Sequence, residues 1–256
     1  MVNAMNTGYQ KIKEDLSVLG LCKGDAVLVH SSFKSMGNVE GGIQTLVDAL
    51  LSVIGDSGTL IVPTLTFVEV SETNRVFDYE KSKSCVGAVS EFVRHMDGAK
   101  RSINPTHSCA AIGGKRDWYI DGHERDCTPV GPNSPIWKLH EDGGKVLMLG
   151  CRLTSNTSLH GIEEKANVGY LMAEKAEAYQ LIFPDGIREM EYIRHNDHAG
   201  VIGRYGRIEQ VLAPEYMPRG EVHGANSWLI DAPAMWKACL AALEKDPYYF
   251  VDFIRK

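Results

Sequence analysis

The sequence predicts an α/β fold: a single compact domain over residues 1–256, with a mixed, partly parallel central sheet flanked by helices, plus a β-rich insertion. Three observations carry this. In the first sixty residues, short apolar runs bounded by glycine alternate with helical stretches, as βαβ units require. The run VLML at 146–149 is apolar at every position, which suits a strand buried on both faces. Two further segments flank Pro184-Asp185-Gly186, a strong hairpin turn signal.

In chain order, a helix is expected over Gly8–Leu19, a strand over Ala26–His30, a Ser/Gly-rich loop, a helix over Gly42–Ile54, and a strand over Thr59–Pro63 behind the turn Asp56-Ser57-Gly58. That order predicts a parallel strand pair with a right-handed crossover. Residues 65–83 are polar and irregular and read as a long loop beside a site. A helix is expected at Gly87–His95. A turn at Asn104-Pro105 then leads into a short strand, residues 117–131 read as helix then loop, and 134–139 as a turn or short helix. After the 146–149 strand the pattern suggests a helix from Glu163 to about Leu171, then hairpin strands Ala178–Phe183 and Arg188–Arg194. Segments 201–212 and 221–230 follow, and the helix Ala232–Lys245 closes the fold.

With 256 residues, 44% of them hydrophobic, the chain can bury a substantial core. A net charge of −6 argues against a generic nucleic-acid binder, which would carry a basic face. The six cysteines form no CxxC pair, so they read as reduced thiols rather than a disulfide framework or a cysteine zinc site. Residues 1–13 lack the pattern of a signal peptide, and no run reaches the roughly 20 apolar residues of a membrane span. The expectation is a cytoplasmic protein with a small-molecule substrate and no nucleic-acid or membrane partner; a homodimer is left open.

The richest segment for chemistry is 144–164, a buried strand followed at once by polar residues. Ligands of open α/β sheets bind beyond the carboxyl ends of strands. If Ser158 caps a helix, His160 and Glu163 lie three apart on one face, and the carboxylate can fix the imidazole's tautomer and raise its basicity. The alternative is a helix-capping, partly buried histidine beside solvated glutamates. The loop 30–42, HSSFKSMGNVEGG, can offer N–H groups, hydroxyls and Lys34 to a phosphate, although it matches neither a Walker A nor a GxGxxG spacing. It reads equally as a connector whose serines cap the next helix.

Among nine histidines, His195 and His198 stand three apart, but HExxH is missing and no third ligand is identifiable nearby, so no metal is expected. His195 is expected to hydrogen-bond near a strand end. His107, beside Thr106 and Ser108, reads as part of a polar turn or as a pocket-lining residue. There is no GxSxG elbow, and Cys151 reads as a small core residue rather than a nucleophile.

Several blocks taken together resemble the aminoglycoside 3-N-acetyltransferase (antibiotic acetyltransferase) family: LVHSSFKSMG at 28–37 with Gly41-Gly42, GTLIVPTLT at 58–66, NPTHSCAAIG at 104–113, TPVGPNSP at 128–135 with Lys138-Leu139, the segment 144–164, Arg194-His195, and GANSWLID at 224–231. The resemblance implies an enzyme that uses acetyl-CoA to N-acetylate an amine of an aminoglycoside or related amino sugar. It implies a CoA-binding loop at Ser31, Ser32, Lys34, Ser35 and Gly37, with Thr128 and Ser134 near the pantetheine and acceptor cleft. His160 falls on the family's catalytic histidine and Glu163 on its carboxylate partner; Glu164, His107, His195 and Asp197 are the expected acceptor-side residues.

One region departs from the drug-modifying members, which usually carry a Pro-rich, tryptophan-containing segment after the second strand. Here 67–84 reads FVEVSETNRVFDYEKSKS, with neither residue. Glu69, Glu72, Asp78, Glu163, Glu164 and Asp197 could build an acidic cleft for a polycation or be surface charge. A nucleotide-linked biosynthetic amino sugar is the alternative acceptor, and a noncatalytic CoA- or nucleotide-binding protein on the same scaffold is the alternative class.

Overall fold

The computed structural model describes residues 7–196 and 200–254. The chain begins with α1 (Thr7–Leu19), whose Ile12, Leu16 and Leu19 are spaced to form one buried stripe. Then come β1 (Ala26–Ser31), α2 (Gly42–Ile54), β2 (Thr59–Pro63), the short β3 (Val76–Asp78), α3 (Ala88–Arg94), β4 (Lys100–Arg101), β5 (Cys109–Gly113), α4 (Arg116–Ile120), α5 (Pro135–Glu141) and β6 (Lys145–Leu149). The second half holds α6 (Leu159–Ala166), β7 (Glu177–Phe183), β8 (Gly186–Tyr192), β9 (Val201–Gly203), β10 (Arg219–Val222), β11 (Ala225–Asp231), α7 (Ala232–Lys245) and β12 (Val251–Phe253).

Seven strands form the central sheet in the order β10-β11-β6-β1-β2-β5-β4. β1 lies at its middle, parallel to β2 on one side and β6 on the other, while β5 and β11 add antiparallel neighbours outside them. The sheet is therefore mixed with a parallel centre, as its sequence pattern predicts. Both faces are covered, which is why β1 and β6 are apolar without alternation. Val27, Val29, Leu147 and Leu149 pack with Ile12, Leu46 and Leu50 in one core cluster. Leu28, Val146 and Met148 pack with Trp137, Ile162 and Trp236 in the other.

β7 and β8 form the expected hairpin, with Phe183 opposite Gly186 so that Pro184-Asp185 is the connection. The 65–83 segment is not all loop: Val76–Asp78 pairs in parallel with β7 and completes a three-stranded second sheet. A three-residue strand is too short to announce itself by periodicity. Arg101 locks this sheet to the main one, its buried guanidinium donating to Ser108 Oγ, Thr64 O, Tyr79 O and Ser82 O at 2.8–3.1 Å.

Boundaries shift at β8, which covers Gly186–Tyr192 where Arg188–Arg194 is expected, and at α6. α6 starts four residues before Glu163 and stops at Ala166, because Asn167 takes a left-handed conformation (φ 51°) and its N–H closes on Glu163 and Glu164 carbonyls. Segment 221–230, to which the sequence pattern assigns no element type, falls in the β10–β11 hairpin, reversed at His223-Gly224, both with positive φ. No helix among the described residues is long and apolar enough to cross a membrane.

Candidate active site

The loops leaving β1 and β6 meet at the carboxyl ends of the parallel strands. Ser32 N–H extends the ladder to Leu149 O at 2.9 Å, and Gly150 turns beneath Ser35 with φ 64°. A Cβ at Gly150 would sit 3.0 Å from Ser35 Cβ and 3.1 Å from Ala225 Cβ, so glycine is required for this close approach. The β6 loop then delivers α6, whose first turn carries His160.

His160 and Glu163 do share a helical face, with Nδ1 3.2 Å from Glu163 Oε2. Ser158 precedes the helix, yet its hydroxyl makes no cap. Glu163 is fully buried, and its carboxylate is satisfied by Tyr170 Oη–H at 2.6 Å on Oε1 and Tyr205 Oη–H at 2.8 Å on Oε2. Tyr205 Oη also lies 3.0 Å from His160 Nδ1. With its proton on Nδ1 directed at the carboxylate, His160 keeps a lone pair on Nε2.

Two cavities share His160. One, of about 220 Å³, is lined by Phe67, Val70, His107, Tyr170, Arg194, His195 and Tyr205 among others. The other, about 320 Å³, is bounded by His30, Ser31, Leu65, Phe67, Cys151 and Thr157. Phe67 and His160 belong to both walls. In the second cavity, buried His30 Nε2 and Thr157 Oγ1 have no protein partner. Burial pushes the His30 imidazole down to about 4, so it is neutral at pH 7. Burial also pushes the Cys151 thiol up to about 12, which argues against it as a nucleophile; it is half-buried and lines this cavity, not the core residue read from sequence.

The first cavity gathers three histidines, His107, His160 and His195, with ring centroids 4.6–5.8 Å apart. The β-rich insertion fixes two of them. Tyr192, at the end of β8, bonds Asn104 Oδ1 at 2.9 Å and Thr106 Oγ1 at 2.5 Å, and Thr106 Oγ1 in turn meets His107 Nδ1 at 2.8 Å. His195 follows the same strand and donates Nε2–H to Glu164 at 2.8 Å. Burial holds both His107 and His195 well below the ordinary imidazole range. Glu164 also accepts from Val130 N–H at 2.7 Å and from Thr128, and burial pushes its carboxyl up to about 7.

Ser31 lines the second cavity, while Ser32, Lys34, Ser35 and Gly37 lie in and beside the 3-10 turn Phe33–Met36 at its edge, with Ser32 and Ser35 hydroxyls 2.8 Å apart and Lys34 exposed. Ser134 is buried and caps α5, accepting from Trp137 N–H at 3.1 Å; neither it nor Thr128 is among the residues lining the two cavities. Asp197 lies outside the described residues. The other carboxylates considered for an acidic cleft are engaged elsewhere. Glu69 bonds Ser82 and Lys83 N–H, Glu72 pairs with Arg194, Asp78 accepts from Glu80 and Lys81 N–H, and Glu163 and Glu164 turn inward. Among the described residues lining the first cavity there is no carboxylate. Sequence reasoning did not single out Tyr170, Tyr205 and His30; only His30 carries a local signal, as a polar residue ending an apolar strand.

Residues 28–244 match the family model described as aminoglycoside 3-N-acetyltransferase. The chain belongs to this family. It is 32% identical to aminoglycoside N(3)-acetyltransferase III of Serratia marcescens, over 89% of this chain and 93% of that protein. It is 30% identical to aminoglycoside N(3)-acetyltransferase IX of Micromonospora chalcea, over 91% and 92%. Its fold is similar to that of AAC-IIIb in binary complex with CoASH, with a TM-score of 0.79, 27% identity and coverage of 93% of this chain and 96% of that one. It is also similar to a His-to-Ala variant of AAC(3)-IVa in complex with gentamicin, with a TM-score of 0.80, 28% identity and coverage of 94% and 90%. These relatives are acyltransferases that use acetyl-CoA, and the family places this chain among them.

Proposed function

We propose that this enzyme transfers the acetyl group of acetyl-CoA to a primary amine of an aminoglycoside or related amino sugar, with His160 as the general base. The observation that carries the proposal is the shared wall: one imidazole, with Nε2 free and Nδ1 held by Glu163 and Tyr205, belongs to both cavities. On this reading the thioester enters the cavity beside β1 and the amine occupies the other. An alkyl ammonium must lose a proton before it attacks a thioester; His160 Nε2 accepts it, and Glu163 stabilises the imidazolium. His30 Nε2 and Thr157 Oγ1 supply donors for the developing oxyanion. Transfer is direct, since the nearby Cys151 thiol stays protonated. Lys34 and the serine turn bind the phosphates of CoA, whose availability fits a cytoplasmic enzyme.

Among the described residues the first cavity has no lining carboxylate, which favours a second version of the acceptor: an amino sugar with few positive charges, such as a nucleotide-linked one. A thiol-release assay with acetyl-CoA against aminoglycosides and amino-sugar nucleotides separates the two. Turnover with aminoglycosides supports the first version and turnover confined to the nucleotides the second; no thiol release with any amine overturns the enzyme reading.

A further inference from the structure

The three histidines of the acceptor-side cavity have a property that base catalysis by one of them does not need. One ligand nitrogen from each of His107, His160 and His195 lies within 4.8 Å of the other two. In each ring a protein group already engages one nitrogen: Thr106 Oγ1 on His107 Nδ1, Glu163 and Tyr205 on His160 Nδ1, and Glu164 on His195 Nε2. The remaining nitrogens are His107 Nε2, His160 Nε2 and His195 Nδ1. A hydroxyl or carboxylate behind each ring is the outer shell that orients metal-binding histidines and raises their basicity.

We propose that His107, His160 and His195 form a three-histidine site for a divalent cation of the zinc class, and that an ion held there shuts off acetyl transfer. Tetrahedral coordination at 2.0–2.1 Å brings nitrogens to about 3.3 Å from one another, so the three rings would close in from their present spacing of up to 4.8 Å around an ion. Three imidazoles select zinc, cobalt, nickel or copper over magnesium or calcium. The fourth position opens into the cavity that all three rings line. Inhibition rests on the acetyl-transfer reading, because the His160 Nε2 lone pair that accepts the amine's proton is the one a metal takes.

The test is titration of the intact protein with cobalt(II), followed by its visible absorption. One equivalent should develop the intense d–d bands of a four- or five-coordinate ion without a thiolate charge-transfer band, and zinc but not magnesium should bleach them. His107→Ala and His195→Ala should each weaken cobalt binding at least about tenfold. Micromolar zinc should inhibit thiol release, and a chelator should restore it. A thiolate band, no d–d bands in the unmodified protein, or unchanged affinity in both variants would overturn the site; if the variants fail to fold, the unmodified protein's spectrum still decides. Cobalt binding in a protein that acetylates no amine would retain the site and sink the reaction, whereas turnover insensitive to bound zinc would sink the inhibitory role.

Discussion

The phenol of Tyr205 stands 3.0 Å from Nδ1 of His160, forty-five positions earlier in the chain, and donates to the carboxylate that holds that same imidazole. Tyr205 is thus a positioning residue for His160. Tyr205→Phe removes one donor to a buried charge, an interaction of about 1.5–3 kcal/mol. Turnover should fall about tenfold or more while KM for acetyl-CoA stays level; His160→Ala should cost at least about 100-fold. Steady-state thiol release measures both, and equal turnover in Tyr205→Phe and the parent would remove Tyr205 from the mechanism.

Glu163 bears on stability as well as on the proposed chemistry. Glu163→Ala strands the Tyr170 hydroxyl in a buried space, leaves the Tyr205 hydroxyl only His160 Nδ1, and opens a small void there. The expected loss is about 3 kcal/mol, which for a chain of this size lowers Tm by about 6–12 °C. Calorimetry of the variant checks this; an unchanged Tm would mean that the two phenols find other acceptors.

Stability should decline in acid. The imidazoles of His30 and His123 are pushed down by burial to about 4 and about 3, so between the unfolded value of 6.5 and these folded values the unfolded chain binds more protons. Stability therefore rises with pH across that window and is lost as pH falls through it. Glu164 acts with the opposite sign: its carboxyl, raised from 4.5 to about 7, makes the folded state the better proton binder in between. His107 and His195 reinforce the histidine direction. Urea midpoints at pH 7.5 and 5 should show the lower value at pH 5, and Glu164→Gln should steepen the fall.

The serine turn after β1 is tested by charge. Lys34→Ala should raise the dissociation constant for CoA about three- to tenfold at low salt, with the difference shrinking as ionic strength screens an exposed cation. Calorimetric titration at two salt concentrations measures it; equal affinities at low salt would place the phosphates elsewhere.

Cys151 offers a negative control on mechanism. Cys151→Ala should retain most of the parent turnover, because a thiol pushed up to about 12 carries no acetyl group at neutral pH. Rapid-mixing experiments should show no acetylated enzyme, and a trapped thioester on Cys151 would replace direct transfer with a two-step route.

The parallel heart of the fold was legible because burial on both faces writes itself as short apolar runs such as Thr59–Pro63, and its helices Gly42–Ile54 and Ala232–Lys245 because glycine, proline and turn residues bound them; all three have the same limits in sequence reasoning and in the structure. The His160–Glu163 pair was legible for a similar reason, since three-residue spacing on a helix is a local matter. Tyr205 and Tyr170 were not, because nothing near either residue records that its hydroxyl ends on Glu163. The gathering of His107 and His195 around His160 depends on the second sheet, whose β3 strand is three residues long and pairs across a hundred positions. Of the histidine pair visible in sequence, His198 lies outside the described residues; among the described residues the histidines gathered around His195 come from the NPTH turn and α6.

The position of β6 between β1 and β11 ties the reactive loop to the completion of synthesis. One edge of β6 is paired by a strand translated long before it, but the other waits for Ala225–Asp231, some eighty residues later. Until that segment leaves the ribosome, the strand that launches His160 carries a bare edge, apolar after Lys145, of the kind that recruits foreign strands. A chain stalled near residue 220 is therefore a hazard for aggregation rather than a weakened enzyme, and chaperone dependence should be greatest in that interval of translation.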